Sequence, residues 1–297
     1  MSDPGPGTVD QDPEPIDLTE ARTEAVDAAE QEAHGARDDL THVRLRWWVE
    51  VVAMLALYII YSGIRNNFGS ATGNEIQAFT NARRVIALER HLGLFFEENF
   101  QDAFLGHRLY LQFWNVFYGS FHFWVTGFAL IYLFRKYPAR YSLWRNTIVF
   151  TTLLALIGFS WFPLMPPRLL DDCGHFGACA SYGFVDTLAQ YGGLWSFDSG
   201  TMEQISNQYA AMPSLHFAWS FWAFLVLFPH LKHRWSRFAI ALYPWVTLYA
   251  IVVTANHYWI DAVGGALALA GGFSLAWLLR EGGRLVRTRG PGAPAPA

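Results

Sequence analysis

Charged side chains are scarce in this chain: Asp, Glu, Lys and Arg make up 15% of its 297 residues, while 53% are hydrophobic. An ordinary soluble domain carries about a quarter of its residues as charges, so that class is excluded. Cysteine is nearly missing too. Two are present, too few for a disulfide-stapled scaffold or for the four ligands of a structural zinc site. Residues 1–42 lack aromatic side chains and any long apolar run, so nothing there reads as a cleavable signal. That stretch holds 12 acidic residues against Arg22 and Arg37, and the formal charge of -4 therefore hides a remainder that is net positive (19 basic against 13 acidic). An acidic, Pro-bearing, aromatic-free stretch is expected to be a disordered tail. The Pro- and Gly-rich residues 283–297 are expected to form a second one.

What is present in quantity is aromatic and aliphatic: 13 Trp, 13 Tyr and 24 Phe. The chain reads as an all-α integral membrane protein. A helix needs about 20 apolar residues to cross the hydrocarbon core. Six segments qualify, at residues 46–62, 109–134, 146–164, 213–228, 238–253 and 257–279, with Glu50 snorkelling from the first. Between the first two, residues 74–90 are amphipathic through Ile76, Phe79, Val85, Ile86 and Leu88 but too charged to span. A helix lying in the interface is expected there. Arg44, Arg46, Arg135, Lys136, Arg140, Arg145, Lys232, Arg234, Arg237, Arg280, Arg284, Arg287 and Arg289 all fall on one side of this arrangement. The excess of basic residues makes that side, with both termini, cytoplasmic in a plasma membrane.

The 165–212 connection then faces outward and carries Cys173 and Cys179 with His175 between them. A disulfide, half a metal site and free thiols are all compatible with the pattern, and an oxidising compartment favours the disulfide. In the second span Asn115, Tyr118 and His122 form one polar stripe, which either bonds a neighbouring helix or lines a substrate path.

The chemistry gathers at Thr254 to Gly265, TANHYWIDAVGG. His257 and Asp261 are four apart, one helix face, where the carboxylate can take the Nδ1 proton and leave Nε2 free. Asn256 is placed as an N-cap, which would start the helix at His257 and aim its amides at a bound anion. A second histidine, His216, follows Pro213 and Ser214 at the start of the fourth span. Forty residues separate the two histidines, about two crossings, so both return to one membrane face. Arg168, after the third span, arrives at the same face. Helix amides, a guanidinium and two histidines make a phosphate site, with His257 as nucleophile and His216 as acid. Two His and one Asp also fit a zinc site by residue type, but the spacing serves orientation equally well, and no metal is expected.

PSLH followed by HYWID resembles the second and third motifs of the type 2 phosphatidic acid phosphatase (PAP2) superfamily, whose fold is shared with bacterial acid phosphatases and vanadium haloperoxidases. PPRL at 166–169, NHYWIDAVGG and IALERHLGLFFEENFQ look closest to the branch of inositol phosphorylceramide synthases and their actinobacterial relatives, over roughly residues 75–275. The resemblance implies a six-helix PAP2-like bundle over residues 43–282, with His257 as phosphohistidine nucleophile, Asp261 as its partner, His216 as general acid, and Arg168 and Ser214 as phosphate ligands. Asn115, Tyr118, His122 and Asn256 would line the substrate. Two cations of the family pattern are replaced, by Trp161 and Ile251, and Arg65, Arg83, Arg84 or Arg108 are the candidates to stand in.

The implied activity is that of a lipid phosphatase or phosphotransferase on a lipid-linked phosphate in the bilayer, with a group such as phosphoinositol passed to an acceptor alcohol. No cofactor and no nucleic-acid partner are expected. A proton-coupled transporter or flippase, or an inactive scaffold of the same fold, are the competing readings. The small residues Gly264, Gly265, Ala268, Gly271 and Gly272 call for close helix packing, within the chain or between copies.

Overall fold

The computed structural model describes residues 46–68, 75–170, 182–193 and 208–288. Both expected tails up to residue 45 and from 289, Cys173, Cys179 and His175 lie outside the described residues. The described chain is helical: α1 Trp47–Phe68, α2 Glu75–His91, α3 Glu97–Asp102, α4 Arg108–Lys136, α5 Pro138–Trp161, α6 Thr187–Tyr191, α7 Leu215–Leu227, α8 Arg234–Val253 and α9 Trp259–Thr288. α9 runs past residue 282, into the stretch expected to be tail. Four helices, α4, α5, α8 and α9, are long and apolar enough to cross a membrane, and the protein is an integral membrane protein. The apolar parts of α1 (Trp47–Ala56) and of α7 with its following turn (Leu215–His230) are shorter.

α5 and α9 lie along each other over the longest contact. Glycine on α9 makes that possible: a Cβ on Gly272 would stand 2.4 Å from Thr151 Oγ1 and 2.7 Å from its amide nitrogen. Nearer the start of α9, a Cβ on Gly265 would stand 2.4 Å from the Ser214 carbonyl oxygen, and one on Gly264 3.3 Å from Met212 and Pro213. The small-residue stripe is thus used inside the chain, against α5 and the start of α7. Several hydroxyls in the apolar helices bond back one turn, as Thr147, Thr151 and Thr152 do to Leu143, Thr147 and Ile148.

Two expectations need correction. Glu50 does not snorkel: it turns inward, 9% exposed, and both carboxylate oxygens take Arg145 Nη1 at 2.6 and 2.7 Å, with the Tyr141 hydroxyl donating at 3.2 Å. Arg145 reaches it from α5, so a nearby cation removes the need to reach water. Glu50→Leu leaves that guanidinium without its carboxylate and is expected to cost about 2 kcal/mol, read as a lowered unfolding midpoint in detergent. On α2 the buried stripe is Ala78, Asn81, Ala82, Val85, Ile86 and Glu89, while Ile76 and Leu88 are exposed. The helix docks by small residues, which let it approach Leu164, Met165 and Tyr258 in one apolar cluster. The Asn81 amide donates to the Pro163 carbonyl at 2.9 Å, and Met165 N–H donates to Ala78 O at 3.2 Å.

Candidate active site

α5 ends before Pro163, α7 begins after Pro213, and α8 hands over to α9 at Thr254–Tyr258, so three connections meet at one end of the bundle. The handover is a left-handed C-terminal turn. Ala255 has φ +53, Ala255 N–H donates to Val252 O at 2.8 Å, and Asn256 N–H donates to Ile251 O at 2.9 Å, the bond pattern that usually places glycine at that residue. Alanine in this conformation costs about 1 kcal/mol. The turn swings His257 out of α8 before α9 begins, and its N–H also reaches Ile251 O, at 3.1 Å.

His257 is 3% exposed, and its Nδ1 meets Asp261 Oδ2 at 3.1 Å; the same oxygen takes the Tyr258 N–H at 2.9 Å. With Nδ1–H donating, Nε2 keeps its lone pair. The His216 ring lies 5.5 Å from that of His257 between centroids. Tyr118 stacks on His216 at 4.2 Å, and His122 meets it edge-on at 4.4 Å. His122 Nδ1 is bonded to the Tyr118 carbonyl at 3.0 Å, so its Nε2 is the nitrogen left for other partners.

Ser214 N-caps α7, its hydroxyl oxygen accepting from Phe217 N at 3.4 Å, while its own N–H donates to Asp261 O at 2.9 Å. That bond ties the two histidine-bearing turns together. First-turn amides of α7 have no acceptor within the helix. The backbone of Arg168 joins through its N–H on Ala255 O at 2.8 Å. Its guanidinium is held by Asp186 at 2.5 Å, and its Nε is buried and has no partner among the described residues. Asp186 Oδ1 meanwhile caps α6 by accepting from Leu188 and Ala189.

Arg168, Ser214, His216, His257 and Asp261 are therefore brought together, with Tyr118 and His122 beside them. Asn115 and Asn256 are not. Asn115 is buried and saturated: its amide donates to the carbonyls of Thr187 (2.8 Å) and Gly192 (3.0 Å), and its oxygen accepts from the Thr187 hydroxyl (3.0 Å). It latches α6 to α4. Asn256 turns its amide back to Thr254, at 2.8 Å from the hydroxyl and 3.3 Å from the carbonyl, and caps nothing. α9 starts at Trp259, and its first amides are not open to an anion. Tyr258 N–H goes to Asp261, Trp259 N–H to Glu97 at 3.2 Å and Ile260 N–H to Glu89 at 3.1 Å.

Of the stand-in cations, Arg83 and Arg108 are exposed, and the side chain of Arg65 lies outside the described residues. Arg84 bonds Asn81 Oδ1 at 3.3 Å, beside the 163–165 segment that leads to Arg168. Trp161 is exposed, and Ile251 is buried among Phe217, Val252 and Ala262. Asp186, Glu89 and Glu97 were missed by sequence reading. The signal for the last two was two acids eight apart on either side of the apolar run Leu92–Phe96. Among the described residues no three His, Cys, Asp or Glu side chains are grouped to hold a metal.

A family model described as the PAP2 superfamily matches residues 83–275, well over half of the chain. No curated protein and no solved structure matches it.

Proposed function

Because the chain belongs to the PAP2 superfamily, which comprises phosphoesterases and phosphotransferases, we propose that it cleaves a lipid-linked phosphoester through a phosphohistidine on His257. The observation that carries this is the Nδ1 contact with Asp261, which leaves His257 Nε2 as a free base 5.5 Å, ring to ring, from His216. In the first step Nε2 attacks phosphorus, the P–O bond to the lipid alcohol breaks, and His216 gives that oxygen its proton. Asp261 balances the positive charge that develops on the imidazole. In the second step His216 takes a proton from water or an acceptor alcohol, whose oxygen displaces Nε2 and frees the product. Arg168 and the α7 amides bind the phosphoryl oxygens, and Ser214 adds its hydroxyl.

The substrate class is a lipid phosphate, because the site lies at one end of a bundle of apolar helices, four of them long enough to cross a bilayer. Clustering at one end argues against a transport pathway, which places its polar groups near the midplane. A six-span arrangement, with α1 and α7 completing the four long helices, both termini cytoplasmic and the site outward, fits the distribution of basic residues. Transfer of a phospho-headgroup such as phosphoinositol to an acceptor alcohol is the branch-specific form of the same chemistry.

The test is purified protein in detergent with short-chain phosphatidate. Inhibition by vanadate and an acid-labile, base-stable phosphoryl adduct on the protein are the expected results. Phosphate release without any adduct on rapid quenching would count against the covalent step. Asp186→Asn puts an amide donor against the Arg168 guanidinium, and the lost charge-assisted bond is worth about 1.5–3 kcal/mol, roughly 10- to 100-fold in kcat/KM. An unchanged kcat/KM would mean that Asp186 does not hold Arg168 for the phosphate.

A further inference from the structure

Glu89, near the end of α2, and Glu97, which opens α3, are both fully buried. The turn between them, with Gly93 at φ +69, folds α3 back so that both carboxyls reach the first turn of α9. Glu97 uses both oxygens: Oε1 accepts from Trp259 N at 3.2 Å and Oε2 from Phe96 N at 3.0 Å. Glu89 uses one, Oε1 accepting from Ile260 N at 3.1 Å. Its Oε2 is buried with no partner of its own, and the group beside it is the Glu97 carboxyl. Asp261, also fully buried, takes the third amide of the turn. Among the described residues no Lys or Arg pairs with any of the three carboxyls, so three full negative charges in one dry pocket are not sustainable. The proton belongs on the carboxyl with the fewest donors, Glu89. Burial pushes its pKa up to about 9, with the neighbouring charge of Glu97 adding to it.

We propose that Glu89 and Glu97 are positioning residues for His257 and Asp261: a buried acid and a neighbouring carboxylate, which grip the Ile260 and Trp259 amides and set the register of α9. This rests on the reading of His257 as nucleophile. Trp259 and Ile260 lie between His257 and Asp261 in sequence, so a rotation of that turn separates Nδ1 from Oδ2.

The two glutamates respond differently to an isosteric change. Glu89→Gln keeps the acceptor for Ile260, and its amide replaces the acid O–H toward Glu97. Glu97→Gln must turn an NH₂ toward either Trp259 N–H or Phe96 N–H, donor against donor. On full-length protein with short-chain phosphatidate, Glu89→Gln is expected to stay within 3-fold of wild-type kcat. Glu97→Gln and Glu89→Ala should lose at least 30-fold in kcat with KM moved less than 3-fold. An infrared spectrum should show the carbonyl band of a buried protonated carboxylic acid, lost in Glu89→Gln, and nitrogen NMR of labelled histidine should show the His257 Nδ1–H signal displaced in Glu97→Gln. The spectroscopic arms need no turnover, so an inactive wild type would remove the nucleophile reading while they still decide the clamp. Persistence of the band in Glu89→Gln, an unmoved His257 signal in Glu97→Gln, or a Glu97→Gln enzyme as fast as wild type would each overturn the proposal.

Discussion

Replacing His257 by alanine is expected to lower phosphate release from a lipid phosphate by at least about 10³-fold, because the nucleophile itself is removed. Among the described residues the ring makes no bond other than Nδ1 to Asp261, so the fold should tolerate the loss, although Asp261 is left buried with the Tyr258 amide. Asp261→Asn makes the complementary case. An amide can accept from Tyr258 N–H or offer hydrogen to Nδ1, and in the second arrangement the imidazole proton moves to Nε2 and blocks the attack. The two changes should be non-additive, since both act on one atom. Steady-state release on His257→Ala, Asp261→Asn and the double variant reads this directly. Residual activity in His257→Ala within 10-fold of wild type would end the phosphohistidine mechanism.

Gly265→Ala is expected to be nearly as damaging, for a reason that has nothing to do with charge. The added methyl would stand 2.4 Å from the Ser214 carbonyl oxygen and 3.4 Å from Ala218 N, both backbone atoms that cannot swing away. α7 must move off α9, and Ser214 N–H then loses the Asp261 carbonyl that fixes His216 relative to His257. Overpacking of this kind costs about 1–3 kcal/mol in stability. A displacement of about 1 Å at the reacting groups can cost about 10²-fold in rate. Gly282→Ala on the same helix is the control, because a Cβ there meets nothing within 4 Å and alanine is the better helix former. Thermal unfolding and kcat should both fall for Gly265→Ala and neither for Gly282→Ala. Equal behaviour of the two would show that the α7–α9 approach is not what aligns the histidines.

The local part of this site was legible. His257, just before α9, and Asp261, in its first turn, are four apart and meet through Nδ1 and Oδ2, and α7 and α8 run out and back so that His216 returns beside His257. The capping was misread. Asn256 is a good cap by type, but the left-handed turn at Ala255 commits its N–H to Ile251, and carboxylates from α2 and α3 reach the α9 amides instead. The Ile251 substitution is sharpened by the same geometry. It brings no cation to the site, yet its carbonyl accepts the Asn256 and His257 amides and so places His257, the proposed nucleophile.

By itself the sequence determined that this chain is a helical membrane protein, that a histidine and a carboxylate four residues apart come together, and that a second histidine and an arginine come back to them. These follow from composition, from helical period and from bilayer thickness, all of which act locally along the chain. Only the tertiary structure decided which polar groups gather at the two histidines and which are spent on the fold. Asn115 is spent on the 187–192 turn, Asp186 holds Arg168, and Glu89 reaches an amide 171 residues away. Those pairings depend on close approach of helices that share no sequence register. Glycine at 264, 265 and 272 allows that approach, and buried polar groups without water must then take whichever partner it brings.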